Sequence, residues 1–368
     1  MPLQELTLKN FRNYEALSLQ FSPRVNIFFG KNAQGKTNIL EAIALLCLGR
    51  SFRTRKDDEL IRWQSEACYL KGSFQQLLHS SVVEIGIGLQ EKRIKLDGQV
   101  IKNQELFGKI PLVIFGPDDL QIVKGGPQNR REFLDFYLAQ IEPNYRFVYY
   151  NYHRVLQQRN RLLKAGVSSP AELEIWDAQL VEKGLKVIKY RLLMLEDIAV
   201  HVRRAQESIS GAAESLSLQY VSFNDQAVPA WEETRLREQF QTELERVRRQ
   251  EIERQLTLVG PHRDDLRLTI GAGVELRNYG SQGQQRTAVL ALKLGLIEKI
   301  RESRGDYPIL LLDDVMSEFD TDRKIHLLNC LFGSTQTILT STNRADFPVT
   351  DGATFLYEVV QGAVNHVL

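Results

Sequence analysis

The sequence predicts an α/β fold: a mixed sheet that carries an antiparallel β subdomain and is interrupted by an inserted, mostly helical second lobe. Three observations predict it. A buried strand, a glycine loop and an amphipathic helix follow one another between Val25 and Cys47. An apolar strand ending in two carboxylates, Asp313 and Asp314, returns late in the chain. Between them the apolar period lengthens from that of a strand to that of a helix.

Val25 to Phe29 is the buried strand. Gly30, four residues, Gly35, Lys36 and Thr37 then match the phosphate-binding loop pattern. The chemistry requires this order. The two glycines let the backbone curl so that successive amide N–H groups face phosphate oxygens, and the helix beginning near Lys36 turns its positive end to the same charge. Gly30, Lys31, Asn32, Ala33, Gln34, Gly35, Lys36, Thr37 and Asn38 are therefore the candidate nucleotide-binding residues, ATP being the nucleotide that the resemblance described below implies. Lys36 is placed for the β and γ phosphates and Thr37 for Mg2+. Ile39, Ile43, Leu46 and Cys47 form the helix face expected against the sheet.

Alternation predicts half-buried antiparallel strands at residues 3–8 and 15–21 with a turn at Asn10–Asn13, and more such sheet at 67–73, 81–89 and 93–96. Pro111–Pro117 reads as one buried strand stopped by Gly-Pro. The basic segment Gly49–Lys56, with Arg53 and Arg55, reads equally as a solvated loop or a phosphate contact. Helical spacing then covers roughly 127–140, 143–165 and 171–208. Eight Lys or Arg face three acids between Lys124 and Lys164, interleaved with Tyr145, Tyr149, Tyr150 and Tyr152. That mixture makes Arg130, Arg131, Arg154 and Arg159 candidate DNA contacts beside Arg53 and Arg55. A strand at 216–221, a charged helix at 231–254, and strands near 265–270 and 274–277 follow. The expected division is an ATPase lobe in two parts, 1–116 and 257–368, around a helical lobe at 117–256.

Ile309–Leu312 buries a central strand that delivers Asp313 to the metal beside Thr37 and Asp314 to the attacking water. Asp314, Asp313 and Lys36 are the candidate catalytic residues; Thr37 and Asp313 are the Mg2+ ligands. Ser281, Gln282, Gly283 and Gln284 open the helix before that strand. A serine hydroxyl, a glycine and free helix N–H groups make a second anion-binding device without a lysine, suited to the γ-phosphate held by another copy. A serine cap on a core helix is the structural alternative. A helix near 321–332, a strand at 336–341 and an antiparallel pair at 353–359 and 363–368 close the chain.

Net charge is +1, so any nucleic-acid surface is a local patch. Three separated cysteines fit reduced thiols in a cytoplasm rather than a disulfide frame or a zinc site. The N-terminus has no signal-peptide pattern, and no apolar run approaches the length of a membrane span, so no membrane partner is expected.

With phosphate loop, Ser-x-Gly-Gln, strand-Asp-Asp and Ser317-Glu318-Phe319-Asp320 together, the chain resembles the ABC-type heads of the chromosome-structural and recombination ATPases, and within them the RecF family. The resemblance runs over nearly the whole chain, through Asn10–Tyr14, Gly30–Asn38, Gly49–Arg53, Phe115–Leu120, Arg130–Asp135, Gly260–Asp265 and Leu311–Asp314. It implies an ABC-type P-loop ATPase head that is monomeric until ATP pins two copies face to face, with Ser281–Gln284 of one closing on nucleotide held by the other. It further implies slow, DNA-stimulated hydrolysis, binding of double-stranded DNA at junctions with single strands, and cooperation with RecR and RecO to help load recombinase. Gln282 replaces the usual glycine of transporter signatures, Asp314 replaces a glutamate, and Gly116 and Thr342 stand where such heads carry glutamine and histidine. A switch rather than a motor is therefore expected. His262 and Arg263, close to Pro261, are expected either to line the nucleotide or interlobe cleft or to serve a structural salt bridge. The rival readings are a non-hydrolysing structural head, a transporter ATPase, and a guanine-nucleotide switch read from Asn343-Arg344-Ala345-Asp346.

Overall fold

The computed structural model describes residues 2–75, 80–166, 170–210, 214–223, 225–315, 335–344 and 354–367. Ser317–Asp320, the expected helix near 321–332 and Ala345-Asp346 lie outside them. In chain order the elements begin with β1 (Leu3–Phe11), β2 (Tyr14–Gln20), β3 (Val25–Phe29), α1 (Lys36–Leu48), β4 (Ala67–Gln75), β5 (Ser80–Gly88), β6 (Lys92–Leu96), β7 (Gln99–Ile101), α2 (Asn103–Leu106) and β8 (Leu112–Phe115). The helical part holds α3 (Gln121–Lys124), α4 (Pro127–Ile141), α5 (Tyr145–Ala165), α6 (Pro170–Ser210), β9 (Leu216–Ser222), β10 (Gln226–Ala227), α7 (Glu233–Arg254), β11 (Asp265–Ile270), β12 (Val274–Glu275), α8 (Leu276–Tyr279) and α9 (Gln282–Arg304). Then come β13 (Ile309–Leu312), β14 (Thr337–Ser341), β15 (Thr354–Val360) and β16 (Ala363–His366).

The described chain divides into two compact units, Met1–Asp118 with Ile300–Leu368, and Asp119–Lys299. The first unit holds two sheets. One is antiparallel, in the order β2-β1-β4-β5-β6-β7. The other has the order β16-β15-β3-β14-β13-β8, in which β15, β3, β14, β13 and β8 run parallel. Parallel strands are covered on both faces, which is why Ile309–Leu312 is apolar without alternation and buried throughout. Helix α1 touches strands of both sheets. Its burial is therefore not confined to the face of Ile39, Ile43, Leu46 and Cys47: every residue from Ile39 to Leu48 is buried, Glu41 included.

The second unit joins α3–α8 and the part of α9 up to Lys299 to a small sheet ordered β10-β9-β11-β12. Here the structure departs from the expected division. Residues 257–299 cluster with the helical unit, because β11 pairs antiparallel with β9 from Asp265↔Val221 to Ile270↔Leu216 and α4 packs on β11. A strand pairing between distant segments overrides the sequence return to strand and turn at Thr257. The strand expected at 274–277 is likewise short, giving way at Leu276 to α8.

Candidate phosphate site and signature helix

In the first unit the loop after β3 is shaped by backbone that few side chains tolerate. Gly30, Ala33 and Gly35 have φ of 151°, 64° and 113°. A Cβ on Gly30 would lie 2.4 Å from the Val359 carbonyl oxygen, so this position requires glycine on both counts. The loop is braced from outside. Asn13 Nδ2 donates to the Gln34 carbonyl at 3.0 Å, Tyr14 Oη to the Gly35 carbonyl at 3.0 Å, and the Gln361 amide to Gln34 Oε1 at 2.7 Å. Lys36 curls back into the loop, its Nζ donating to the Gly30 and Lys31 carbonyls at 2.6 and 2.7 Å. Two of its three protons are so used. Burial pulls the Lys36 ammonium below its ordinary value, against the opposing pull of Asp314 and Asp313.

Thr37, at the start of α1, donates its hydroxyl to Asp313 Oδ1 at 2.8 Å. This brings together two residues 276 positions apart, one from the loop and one from the end of β13. Two hard oxygens side a by side next to a phosphate loop are the donor set Mg2+ takes when it is shared with a nucleotide. Thr340 on β14 completes the arrangement: its hydroxyl donates to Asp313 Oδ1 at 2.9 Å and accepts from the Asp314 amide at 2.9 Å. Asp314 sits at φ 51°, a left-handed conformation that a non-glycine residue adopts at some cost and that concentrates at functional sites. Sequence reasoning passed over Thr340, for which only its place on the strand beside β13 offered a signal.

A second unforeseen group lies on α1. Glu41 is fully buried and accepts both Arg12 Nε and Nη2, at 2.9 and 2.7 Å, as well as Ser51 Oγ at 2.6 Å and Arg53 Nη1 at 3.2 Å. Arg53 Nη1 also donates to Asn38 Oδ1 at 2.9 Å. The basic segment after α1 is thus tied to Asn38, the last of the candidate nucleotide-binding residues, although Arg53 stays partly exposed and Arg55 exposed.

In the second unit Ser281 precedes α9. Its hydroxyl accepts the Gln284 amide at 3.2 Å, and Gln284 Oε1 accepts the Ser281 amide at 2.8 Å, a reciprocal capping box. Gln284 also reaches Glu214 at 2.6 Å. Ser281 and Gln282 are exposed, while Gly283 and Gln284 are half-buried. The cap leaves the Ser281 hydroxyl proton free to donate outward.

The arginines expected on DNA separate sharply. Arg159 is fully buried, bonded to Asp177 at 2.7 Å, Glu251 at 2.6 Å and Thr257 at 2.8 Å. Arg130 is buried as well, and forms a bidentate pair with Asp265 at 2.6 and 2.8 Å. Neither can meet a phosphate, and both leave the set of DNA candidates. The signal was in their spacing: Arg159 lies on the apolar stripe of Tyr152, Val155, Leu156 and Leu163, and Arg130 on that of Phe133 and Leu134. Arg131 is half-buried and donates to the Asp264 carbonyl at 2.8 Å, whereas Arg154 is exposed.

His262 belongs to the same interior. Its Nδ1 lies 2.5 Å from Tyr152 Oη and its Nε2 3.1 Å from the Thr257 carbonyl, and burial pushes it down to about 3. Arg263 lies within 3.4 Å of that carbonyl. Asp264 accepts Tyr220 Oη and Ser222 Oγ at 2.6 Å each, with its carboxyl raised by burial. The Gly260–Asp265 segment therefore takes part in a hydrogen-bond network within the helical unit, in which His262 makes hydrogen bonds rather than a salt bridge. No helix among the described residues is long and apolar enough to cross a membrane.

The chain is similar to known proteins over nearly its whole length. The family model of the RecF/RecN/SMC N terminal domain matches residues 2–364. The DNA replication and repair protein RecF of Natranaerobius thermophilus is 42% identical over 363 residues, 94% of this chain and 92% of that protein. That of Halalkalibacterium halodurans is 40% identical over 374 residues, covering 99% of each. Among solved structures, that of the recombination mediator protein RecF-ATP in the RecFOR pathway superposes with a TM-score of 0.88 at 37% identity, over 100% of this chain and 97% of that one. A crystal structure of the SmcHead bound to the C-winged helix domain of ScpA superposes at 0.59 with 14% identity, over 100% and 98%, a likeness of fold alone.

Proposed function

The chain belongs to the RecF family, and from that premise we propose that it is an ATP-dependent DNA-binding switch of recombinational repair and replication-fork maintenance. The observation that carries the reading is the contact of Thr37 with Asp313, 2.8 Å across the end of the parallel sheet, beside a lysine curled into the glycine loop. Gly30–Asn38 hold the triphosphate, and Lys36 transfers its donors from the loop carbonyls to the β and γ phosphates. Thr37 and Asp313 hold Mg2+, which supplies neutralisation of the phosphate charge. Asp314, aimed by Thr340, orients the attacking water.

Ser281–Gln284 of a second copy close on the γ-phosphate with the free hydroxyl proton and the helix N-terminus. ATP therefore joins two copies, and hydrolysis, slow where Gly116 and Thr342 stand in place of the glutamine and histidine of such heads, releases them. The dimer takes double-stranded DNA near single-strand gaps and acts there with RecR and RecO. A weak, DNA-stimulated ATPase is the enzymatic activity.

The test is sedimentation of the chain with no nucleotide, ADP, ATP, and ATP plus a gapped duplex. A dimer with ATP alone, strengthened by DNA and lost in Ser281→Arg although that variant still binds ATP, is the expected result. A chain that remains monomeric in every condition refutes the trans arrangement.

A further inference from the structure

Helix α5 carries a face that neither the phosphate site nor the helical core uses. Over its length from Tyr145 to Ala165 it has no carboxylate. One face, with Tyr145, Tyr152, Leu156, Arg159 and Leu163, is buried. The opposite face sets Phe147, Tyr150, Arg154, Gln157, Arg161 and Lys164 in a single row of alternating three- and four-residue steps, every member exposed. Phe147 and Tyr150 are 70% and 63% exposed, which is unusual for large aromatic rings. Among the described residues Arg154, Arg161 and Lys164 have no ion-pair partner. The row runs about 26 Å at the helical rise of about 1.5 Å per residue.

The row pairs aromatic planes at one end with unneutralised cations at the other. Cations call for a polyanion, and a duplex would offer them phosphates but leave the two rings against sugar and backbone. Unpaired bases have a π-face for each ring while their phosphates track the cations, the combination by which single strands are held without sequence preference. We infer that the Phe147–Lys164 face of α5 is a binding surface for single-stranded DNA, with Phe147 and Tyr150 stacking bases and Arg154, Arg161 and Lys164 pairing with the backbone. This rests on the DNA-binding reading above and deepens it: the face takes the unpaired strand of a gap, separately from the duplex.

The test is fluorescence anisotropy of the full chain with ATP on three probes: an oligothymidylate of about 16 nucleotides, an abasic strand of equal length and charge, and a blunt duplex. The wild type is expected to prefer the oligothymidylate to the abasic strand by about tenfold or more. Phe147→Ala/Tyr150→Ala abolishes that preference while duplex and ATP binding stay unchanged; both rings are exposed, so their removal leaves no cavity. Arg154→Gln/Arg161→Gln weakens both single strands and flattens the dependence of log affinity on log salt by about 1.4. A wild type without the preference, or an aromatic double variant that keeps it, overturns the inference while duplex binding remains. Absence of duplex binding in the wild type instead overturns the reading beneath it.

Discussion

Replacing Arg159 with methionine separates a core arginine from a DNA-contacting one. The guanidinium is fully buried and divides its donors among Asp177, Glu251 and Thr257. Methionine keeps the apolar stem and removes the charge. Asp177 then retains Arg248 at 3.0 Å, but Glu251, itself fully buried, retains only the Leu258 amide at 2.7 Å. Removing one partner of a buried ion pair costs about 3–5 kcal/mol, because the other charge stays in a low-dielectric interior without compensation. For a unit of this size that lowers the melting temperature by roughly 6–20 °C. The assay is thermal unfolding followed by circular dichroism, with DNA affinity measured well below the transition. Adding Glu251→Gln to Arg159→Met removes the orphaned charge and restores much of the loss. A variant that melts with the wild type but has lost DNA affinity would show that Arg159 faces DNA and that the buried triad is wrong.

Three further outcomes follow from the same geometry. Thr340→Val removes the hydroxyl shared by the Asp313 carboxylate and the Asp314 amide, so ATP turnover is expected to fall roughly five- to tenfold, about the 1–1.5 kcal/mol of one net hydrogen bond, while ATP affinity measured by equilibrium titration changes little. Gly30→Ala forces a Cβ to 2.4 Å from the Val359 carbonyl at a φ of 151°, a strain of roughly 1–3 kcal/mol that should appear as weakened nucleotide binding. His262, held neutral in the fold down to about 3, binds a proton more readily once unfolded, where histidine titrates near 6.5. Its contribution is full above pH 6.5 and is lost as pH falls toward 3, by at most about 1.4 kcal/mol per pH unit. The urea midpoint of wild type is therefore expected to drop more steeply than that of His262→Gln between pH 6.5 and 4.5; parallel slopes would refute the assignment.

The strand, loop and helix from Val25 to Leu48, the alternating strands of the antiparallel sheet and the apolar strand before Asp313 were legible because each is a local pattern. A two-residue period, a 3.6-residue period or a glycine at a turn is dictated by neighbours in the chain and by which face meets water. The DNA candidates were legible only in part for the complementary reason. An arginine on a helix reads as a cation whatever it faces, and Arg159 and Arg130 acquired carboxylate partners from α6, α7 and β11, elements far away in the chain. The unit boundary moved from 256 to 299 for the same cause, the pairing of β11 with β9.

At the candidate phosphate site the division is finer. Residue types and spacing alone named Lys36, Thr37, Asp313 and Asp314, since a curled backbone for phosphate and hard oxygens for a cation admit few alternatives. That Thr37 touches Asp313, that Thr340 ties Asp313 to the Asp314 amide, and that Glu41 gathers Arg12, Ser51 and Arg53 required the parallel sheet to set β3, β14 and β13 side by side and α1 to be enclosed between two sheets. Hydrogen bonds act over about 3 Å, and nothing in a linear order says which of two distant side chains the packing will bring within that distance.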